Sequence, residues 1–216
     1  DARLRLSYGA NGTLPSGYYS HLSLYSFGYN YNGGTGTVES SLGAPRLSWE
    51  KNNAFNLGVG FRLFKRFGVT FDYYNRKTTD LLLYKDISGT TGFSSELQNL
   101  GSMRNTGFEL ELRSSNLNLS NFSWNTTISL GHNKNTLLRY DGVQTQEVSG
   151  NWIHQVGYAY NMYYMAEYAG VDPKTGKAQY YTNELDAKGN YDRSLTTDHT
   201  KAKPRRIDDK PFDPVV

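Results

Sequence analysis

The sequence predicts an all-β fold of antiparallel hairpins, and three observations point to it. Large side chains are plentiful, with Tyr 18, Phe 10 and Trp 3, yet apolar residues reach only 37% because aliphatics are scarce. Helical bundles need Leu- and Ala-rich stripes, and doubly wound sheets need Val/Ile/Leu runs, so neither fits. Period-two alternation recurs along the chain, while helical spacing does not. Finally, short and long connections alternate, which would gather the long ones at one end of a sheet.

Strands are expected at about 1–10, 55–64, 68–76, 106–114 and 121–132. Leu4-Arg5-Leu6-Ser7-Tyr8-Gly9 is the first and shortest. In Leu57-Gly58-Val59-Gly60-Phe61-Arg62-Leu63-Phe64 every odd position is apolar. Lys65-Arg66-Phe67-Gly68 reads as a tight turn into Val69-Thr70-Phe71-Asp72-Tyr73-Tyr74-Asn75, completing a hairpin. Placing Leu63 opposite Phe71 and Phe61 opposite Tyr73 makes the apolar face continuous, and it sets Arg62 opposite Asp72 on the polar face. Phe108-Glu109-Leu110-Glu111-Leu112-Arg113 alternates without a fault. A short loop at 114–121 then leads into Phe122, Trp124, Thr126, Ile128 and Leu130 on one face. The remaining stretches, roughly 10–54, 76–106 and 132–216, read as long loops, and loops of that length are usually functional.

Charge and composition exclude several classes. Lys+Arg 23 against Asp+Glu 20 is too balanced for a nucleic-acid partner, and Cys 0 removes disulfides, thiolate metal sites and cysteine nucleophiles. No run of 18 apolar residues is present, so no helix is expected to cross a membrane, though strands of a β-barrel would escape that test. Phe64, Phe67, Phe122 and Trp124 cluster at the two short turns, as in a membrane-interface girdle. By pattern alone, a barrel wall and a soluble sandwich or sheet–helix protein both stand. The chain opens on Asp1-Ala2-Arg3-Leu4 and closes on Lys210-Pro211-Phe212-Asp213-Pro214-Val215-Val216, which reads as the approach to another strand. An internal piece of something longer is the expectation.

Four segments carry more than pattern. Val69 to Leu82, ending Lys77-Thr78-Thr79-Asp80-Leu81-Leu82, resembles the strand-to-loop motif of SusC-like (SusC/RagA) TonB-dependent outer-membrane transporters. Asn99-Leu100-Gly101-Ser102-Met103-Arg104-Asn105-Thr106-Gly107-Phe108-Glu109 is similar to that family's N-hydrophobic-G-x-hydrophobic-x-N-x-G-hydrophobic-E segment. Leu47-Ser48-Trp49-Glu50 with Asn56-Leu57-Gly58 resembles its LxWE…NxG approach, and Tyr168-Ala169-Gly170-Val171-Asp172-Pro173-Lys174-Thr175-Gly176 its YxGVDPxTG loop. The resemblance implies part of a large barrel wall in a bacterial outer membrane, with long extracellular loops and no plug domain in this chain. It further implies a SusD-like surface lipoprotein and TonB as partners, and an oligosaccharide or peptide as cargo. The alternative is a soluble β-sheet glycan-binding module or adhesin.

No catalytic motif, metal-ligand spacing or cofactor site is legible, and the chain reads as a non-enzyme without cofactor or metal. Glu109 and Glu111 share a strand face and could in principle pair as acid and base, but they read as solvated carboxylates on a polar lumen wall, since sheet alternation already explains them. His21, His132, His154 and His199 read as surface residues, and Asp172-Pro173-Lys174-Thr175-Gly176 as turn chemistry. Ligand-binding candidates are Trp152, Tyr158, Tyr160, Tyr163 and Tyr164, with Tyr168 beyond them. Such rings stack on sugars, though packing of a large loop uses rings in the same way. Lys201, Lys203, Arg205 and Arg206 read as a solvated tail.

Overall fold

A computed structural model describes residues 1–64, 66–141, 146–186 and 188–211. Lys65 of the expected turn and the closing run 212–216 lie outside the described residues. Seven strands fill the first two thirds: β1 (Ala2–Thr13), β2 (Leu24–Tyr31), β3 (Gly34–Ser41), β4 (Glu50–Leu63), β5 (Phe67–Asp86), β6 (Ser95–Leu119) and β7 (Phe122–Tyr140). Shorter ones follow: β8 (Gln146–Ser149), β9 (Trp152–Gln155), β10 (Met162–Met165), β11 (Tyr168–Val171), β12 (Ala178–Tyr181), β13 (Leu195–Thr196) and β14 (Arg205–Pro211). The main sheet has the order β1-β4-β5-β6-β7, and every neighbouring pair is antiparallel. A β2–β3 ribbon, a β14-β10-β9-β8 sheet and a β11-β12-β13 sheet complete the described elements. The tight connections after β4 and β6 share one end of the main sheet, while 14–49 and 87–94 join strands at the other.

Two sequence expectations change. The strands are far longer than their alternating cores: β5 has 20 residues and β6 has 25, so the expected loop 76–106 shrinks to 87–94. From Asn75 to Asp80 both faces of β5 are polar, which breaks the period-two signal while the backbone pairing continues, and apolar residues return only at Leu81-Leu82-Leu83. At roughly 3.4 Å per residue these strands are about twice the length a membrane-spanning strand needs. The first hairpin also closes more tightly than expected. Phe64 adopts a left-handed φ of 51° and Arg66 N–H donates to the Leu63 carbonyl at 3.0 Å, so Leu63 faces Phe67 and Arg62 faces Gly68. Arg62 keeps to the polar face, but Asp72 stands opposite Gly58 instead.

The register builds continuous rows across five strands. Leu4, Val59, Phe71, Leu110 and Leu130 form one, and Leu6, Leu57, Tyr73, Phe108 and His132 the next. Both rows face outward, and no described element covers them: Leu4 is 72% exposed and Leu130 55%. A sandwich would bury this face beneath a second sheet. A bulge at Asn116 extends it toward the tight turns. The extra residue reverses the alternation, so Leu117 stands opposite Trp124 and Leu119 opposite Phe122 on the apolar side. Asn116 is fixed there by Ser114 Oγ at 2.7 Å, Thr126 Oγ1 at 2.6 Å and Arg66 at its carbonyl, 2.5 Å.

Buried apolar residues lie elsewhere. Leu81, Leu100 and the fully buried Leu137 occupy the long-loop ends of β5, β6 and β7, and Ile153, Met162 and Ile207 belong to β9, β10 and β14. Leu137 joins the two regions, since its N–H donates to the Tyr158 carbonyl at 2.7 Å and its carbonyl accepts from Gly157 at 2.8 Å.

Candidate functional site

The inward face of the main sheet is polar and charged. Arg5 donates from Nη2 to both carboxylate oxygens of Asp72, at 2.8 and 2.9 Å. It reaches that far because Gly58, on the strand between them, has no side chain; a Cβ there would lie 2.2 Å from Asp72 Oδ1. Tyr74 uses the same device one row on, lying over Gly107 and donating to Asn133 Oδ1 at 2.9 Å. Both glycines belong to NxG motifs, so those motifs are built for long side chains that bridge three strands. Glu111 is held by Arg113 at 2.8 and 3.1 Å, which leaves Glu109 and Glu111 without the free carboxylate pair that acid–base work requires.

Two further motif residues meet at a joint near the long-loop end. Asp80 is the bulged residue of β5, with a left-handed φ of 59°. The Asn99 side chain accepts from Ser48 N–H at 2.8 Å and donates to the carbonyls of Ser48 and Asp80 at 2.9 and 2.8 Å. Glu50 accepts from Leu82 N–H at 2.9 Å, and the Asp80 carboxylate sits 3.0 Å from Lys51 Nζ. The Asp172 motif is the turn between β11 and β12. Its carboxylate takes the Thr175 hydroxyl at 2.6 Å and Lys174 N–H at 2.9 Å, and these bonds hold its pKa below the ordinary value.

Beyond β7 four of the five candidate rings, those of Trp152, Tyr158, Tyr160 and Tyr163, are already engaged within the protein. Trp152 stacks on Tyr163 across β9 and β10 with centroids 4.7 Å apart, and His154 stacks on Tyr160 at 4.3 Å. Tyr160 N–H donates to Asn135 Oδ1 at 2.7 Å, tying this loop to β7. Arg206 lies 3.4 Å over the Tyr158 ring and bonds the Gln155 side chain. Tyr164 pairs with Arg206 in the β10–β14 ladder. His154 is thus half-buried and partnered, not a free surface residue.

The presumed tail is a clamp. Glu167 receives Arg193 at 2.5 and 2.9 Å and Arg205 at 2.7 Å, while Arg193 also covers the Tyr181 ring at 3.7 Å. Arg205 is 19% exposed, so it is no solvated tail residue. Only the apolar Ile207 two positions on hinted at an ordered strand here. Hydrogen bonds from Arg193, partly offset by burial and reinforced by Arg205, lower the Glu167 pKa from 4.5 to about 2. A depressed carboxyl stabilises fully above its unfolded value and loses that contribution as pH falls through the folded one. Pepsin nicking within 182–205 should therefore rise between pH 4.5 and 2. Glu167→Gln should cost about 1–2 kcal/mol locally and remain nicked at pH 4.5.

Residues 1–205 match the family described as TonB dependent receptor-like, beta-barrel. This chain belongs to the β-barrel of the TonB-dependent receptors. TonB-dependent receptor P26 of Formosa agariphila is 32% identical over 200 residues, which is 88% of this chain and 20% of the relative. TonB-dependent receptor SusC of Bacteroides thetaiotaomicron is 29% identical over 199 residues, 82% and 20% respectively. The solved RagAB peptide importer in its closed-closed state matches with a TM-score of 0.83 at 33% identity, covering 100% of this chain and 24% of that one. The RagAB peptide transporter matches at 0.80 and 33%, covering 96% and 23%. The chain spans about a fifth of the curated relatives it matches. As a piece of a TonB-dependent receptor barrel of SusC type, the sheet has a physical reason for its two faces: apolar outward, hydrated inward.

Proposed function

We propose that this chain supplies wall and extracellular loops to a TonB-dependent transporter that imports oligomeric nutrients across a bacterial outer membrane. The observation that carries the reading is the uncovered apolar outward face backed by a charged inward one, a pairing suited to lipid outside and a wet lumen within. In the whole barrel the edge strands β1 and β7 pair onward, which removes the hazard of two open edges. A SusD-like lipoprotein at the long-loop end and TonB at the other are the partners this reading implies. Work at such a wall is binding and passage, with no chemical step.

Among cargo classes, peptides fit better than oligosaccharides. Sugar binding calls for ring faces open to stacking, and here Trp152, Tyr160 and Tyr163 stack within the protein. The inward face instead offers Arg3 and Arg62 together with Glu109, charges of both signs for peptide termini and side chains. The solved relatives that this chain resembles are described as a peptide importer and a peptide transporter. Cells lacking the full-length gene should lose growth on a peptide mixture and keep growth on oligosaccharides. The reverse pattern would assign the glycan cargo, and loss of neither would refute import. Purified full-length receptor should show background hydrolysis of both classes.

A further inference from the structure

Long side chains lie over some glycines of the inward face and leave others bare. Arg5 and Asp72 cover Gly58, and Tyr74 covers Gly107. Gly60 and Gly68, nearer the tight turns, are uncovered. A Cβ at Gly60 would meet only the Val69 carbonyl oxygen, at 3.8 Å, and one at Gly68 only the Arg113 Cβ, at 3.7 Å. Arg3 and Thr70 stand on either side of Gly60, and Arg62 and Arg113 on either side of Gly68. The space among these residues is an open cavity of about 580 Å³.

The arginines of this face differ in what they hold. Arg5 has its carboxylate in Asp72, and Arg113 has Glu111. Arg3 and Arg62 have none. Among the described residues no carboxylate lies within ion-pair distance of either, that of Asp1 included, although the Asp1 carbonyl accepts Arg62 N–H at 2.8 Å. Arg62 lies on β4, between β1 and β5, so both of its neighbouring strands belong to this chain. Its acceptor therefore has to come from above the sheet, out of the lumen. A guanidinium matches a carboxylate with two parallel hydrogen bonds, and the bare glycine floor leaves room for the group that carries it.

We propose that Arg62 and Arg3 bind the C-terminal carboxylate of a cargo peptide on its way to the tight-turn end, with the last residue of the peptide lying over Gly60 and Gly68. A terminal carboxylate is the one anion that every free peptide carries whatever its sequence. Glycines beneath it place no demand on the last side chain, so the site reads the terminus and not the residue. Thr70 adds a hydroxyl beside Gly60 that can donate to the same group. The proposal rests on the peptide-import reading above and adds to it the group that is recognised.

The test measures uptake by cells carrying the full-length receptor against cells lacking its gene. The probes are short labelled peptides without Asp or Glu, one with a free C-terminal carboxylate and the other amidated there. Wild type should take up the free acid about tenfold faster than the amide, the scale of one charge-assisted hydrogen bond. Arg3→Gln/Arg62→Gln should abolish that ratio. Gly60→Val/Gly68→Val, which keeps both arginines and fills the floor, should lose it as well, and it decides the matter if the arginine variant does not fold. Heat-modifiable gel mobility shows which variants are folded barrels. Equal uptake of acid and amide by wild type overturns the carboxylate site and leaves peptide import standing. A folded arginine variant that keeps the ratio overturns it too. So does one that takes up neither peptide, because the arginines would then hold an acidic segment of the receptor itself. Wild-type uptake of both peptides no greater than that of cells lacking the gene refutes the import reading, and the site with it.

Discussion

Gly107→Ala is expected to block assembly of the folded barrel, or to cost at least about 3 kcal/mol where assembly succeeds. A Cβ at this position would stand 2.2 Å from the His132 carbonyl oxygen and 2.4 Å from the Tyr74 hydroxyl. The hydroxyl could swing away, but the carbonyl is backbone in the β6–β7 ladder and moves only with its strand. Overpacking costs of 1–3 kcal/mol are usual, and a backbone clash belongs at the top of that range. Gly58→Ala meets instead the mobile ends of Asp72 and Arg5, at 2.2 and 2.8 Å. It should lose the exposed ion pair and little else, about 1 kcal/mol or less. Gly9→Ala meets nothing within 4 Å and should be neutral or stabilising by about 0.5 kcal/mol, because alanine gives up less backbone entropy on folding. Heat-modifiable gel mobility of the full-length receptor, read across the three variants, checks the order. A Gly107→Ala barrel as stable as Gly9→Ala would show that Tyr74 and β7 are not packed against that glycine.

The alternating cores were legible because one face meets an apolar medium and the other water, which is the condition for a period of two. Leu57 to Leu63, Val69 to Tyr73 and Phe108 to Leu112 satisfy it, and their faces and antiparallel order follow. Strand ends at Asp86 and Ser95 were not legible, because the polar stretch from Asn75 to Asp80 interrupts the alternation and the irregular pairing at Asp80 and Leu100 shifts its phase beyond it. The register of the first hairpin failed for a local reason. Phe64 occupies a left-handed conformation that sequence rules reserve for Gly or Asn. The bulge at Asn116 hid similarly, since Leu117 and Leu119 sit out of phase with Leu112 until one residue is looped out. At the loops the partners of the candidate rings were not legible, since Arg206 and Asn135 come from distant positions that no local spacing joins. Glu167 carried no signal at all, because its meaning depends on Arg193 and Arg205.

The same logic makes Asn99 the most consequential polar side chain of the described residues. One amide satisfies three backbone groups: Ser48 N–H, the Ser48 carbonyl and the Asp80 carbonyl. It thereby fixes the approach to β4 against the bulge in β5, next to the Glu50 carboxylate that takes Leu82 N–H. Asn99→Ala removes all three bonds, each worth about 1 kcal/mol net, so a loss of about 2–3 kcal/mol is expected. Asn99→Asp separates the contributions. It retains an acceptor for Ser48 N–H but offers two carbonyls a carboxylate in place of a donor, so it should be at least as damaging as alanine. Asp80→Gly relieves the left-handed strain at φ 59° while giving up the Lys51 ion pair, and these opposed terms of about 1 kcal/mol each should nearly cancel. Urea midpoints of the full-length receptor and protease cleavage in the 44–49 approach would read out both effects. An Asn99→Asp protein matching wild type in both would mean that the Ser48 N–H bond alone holds the joint, and that the two donated bonds contribute nothing.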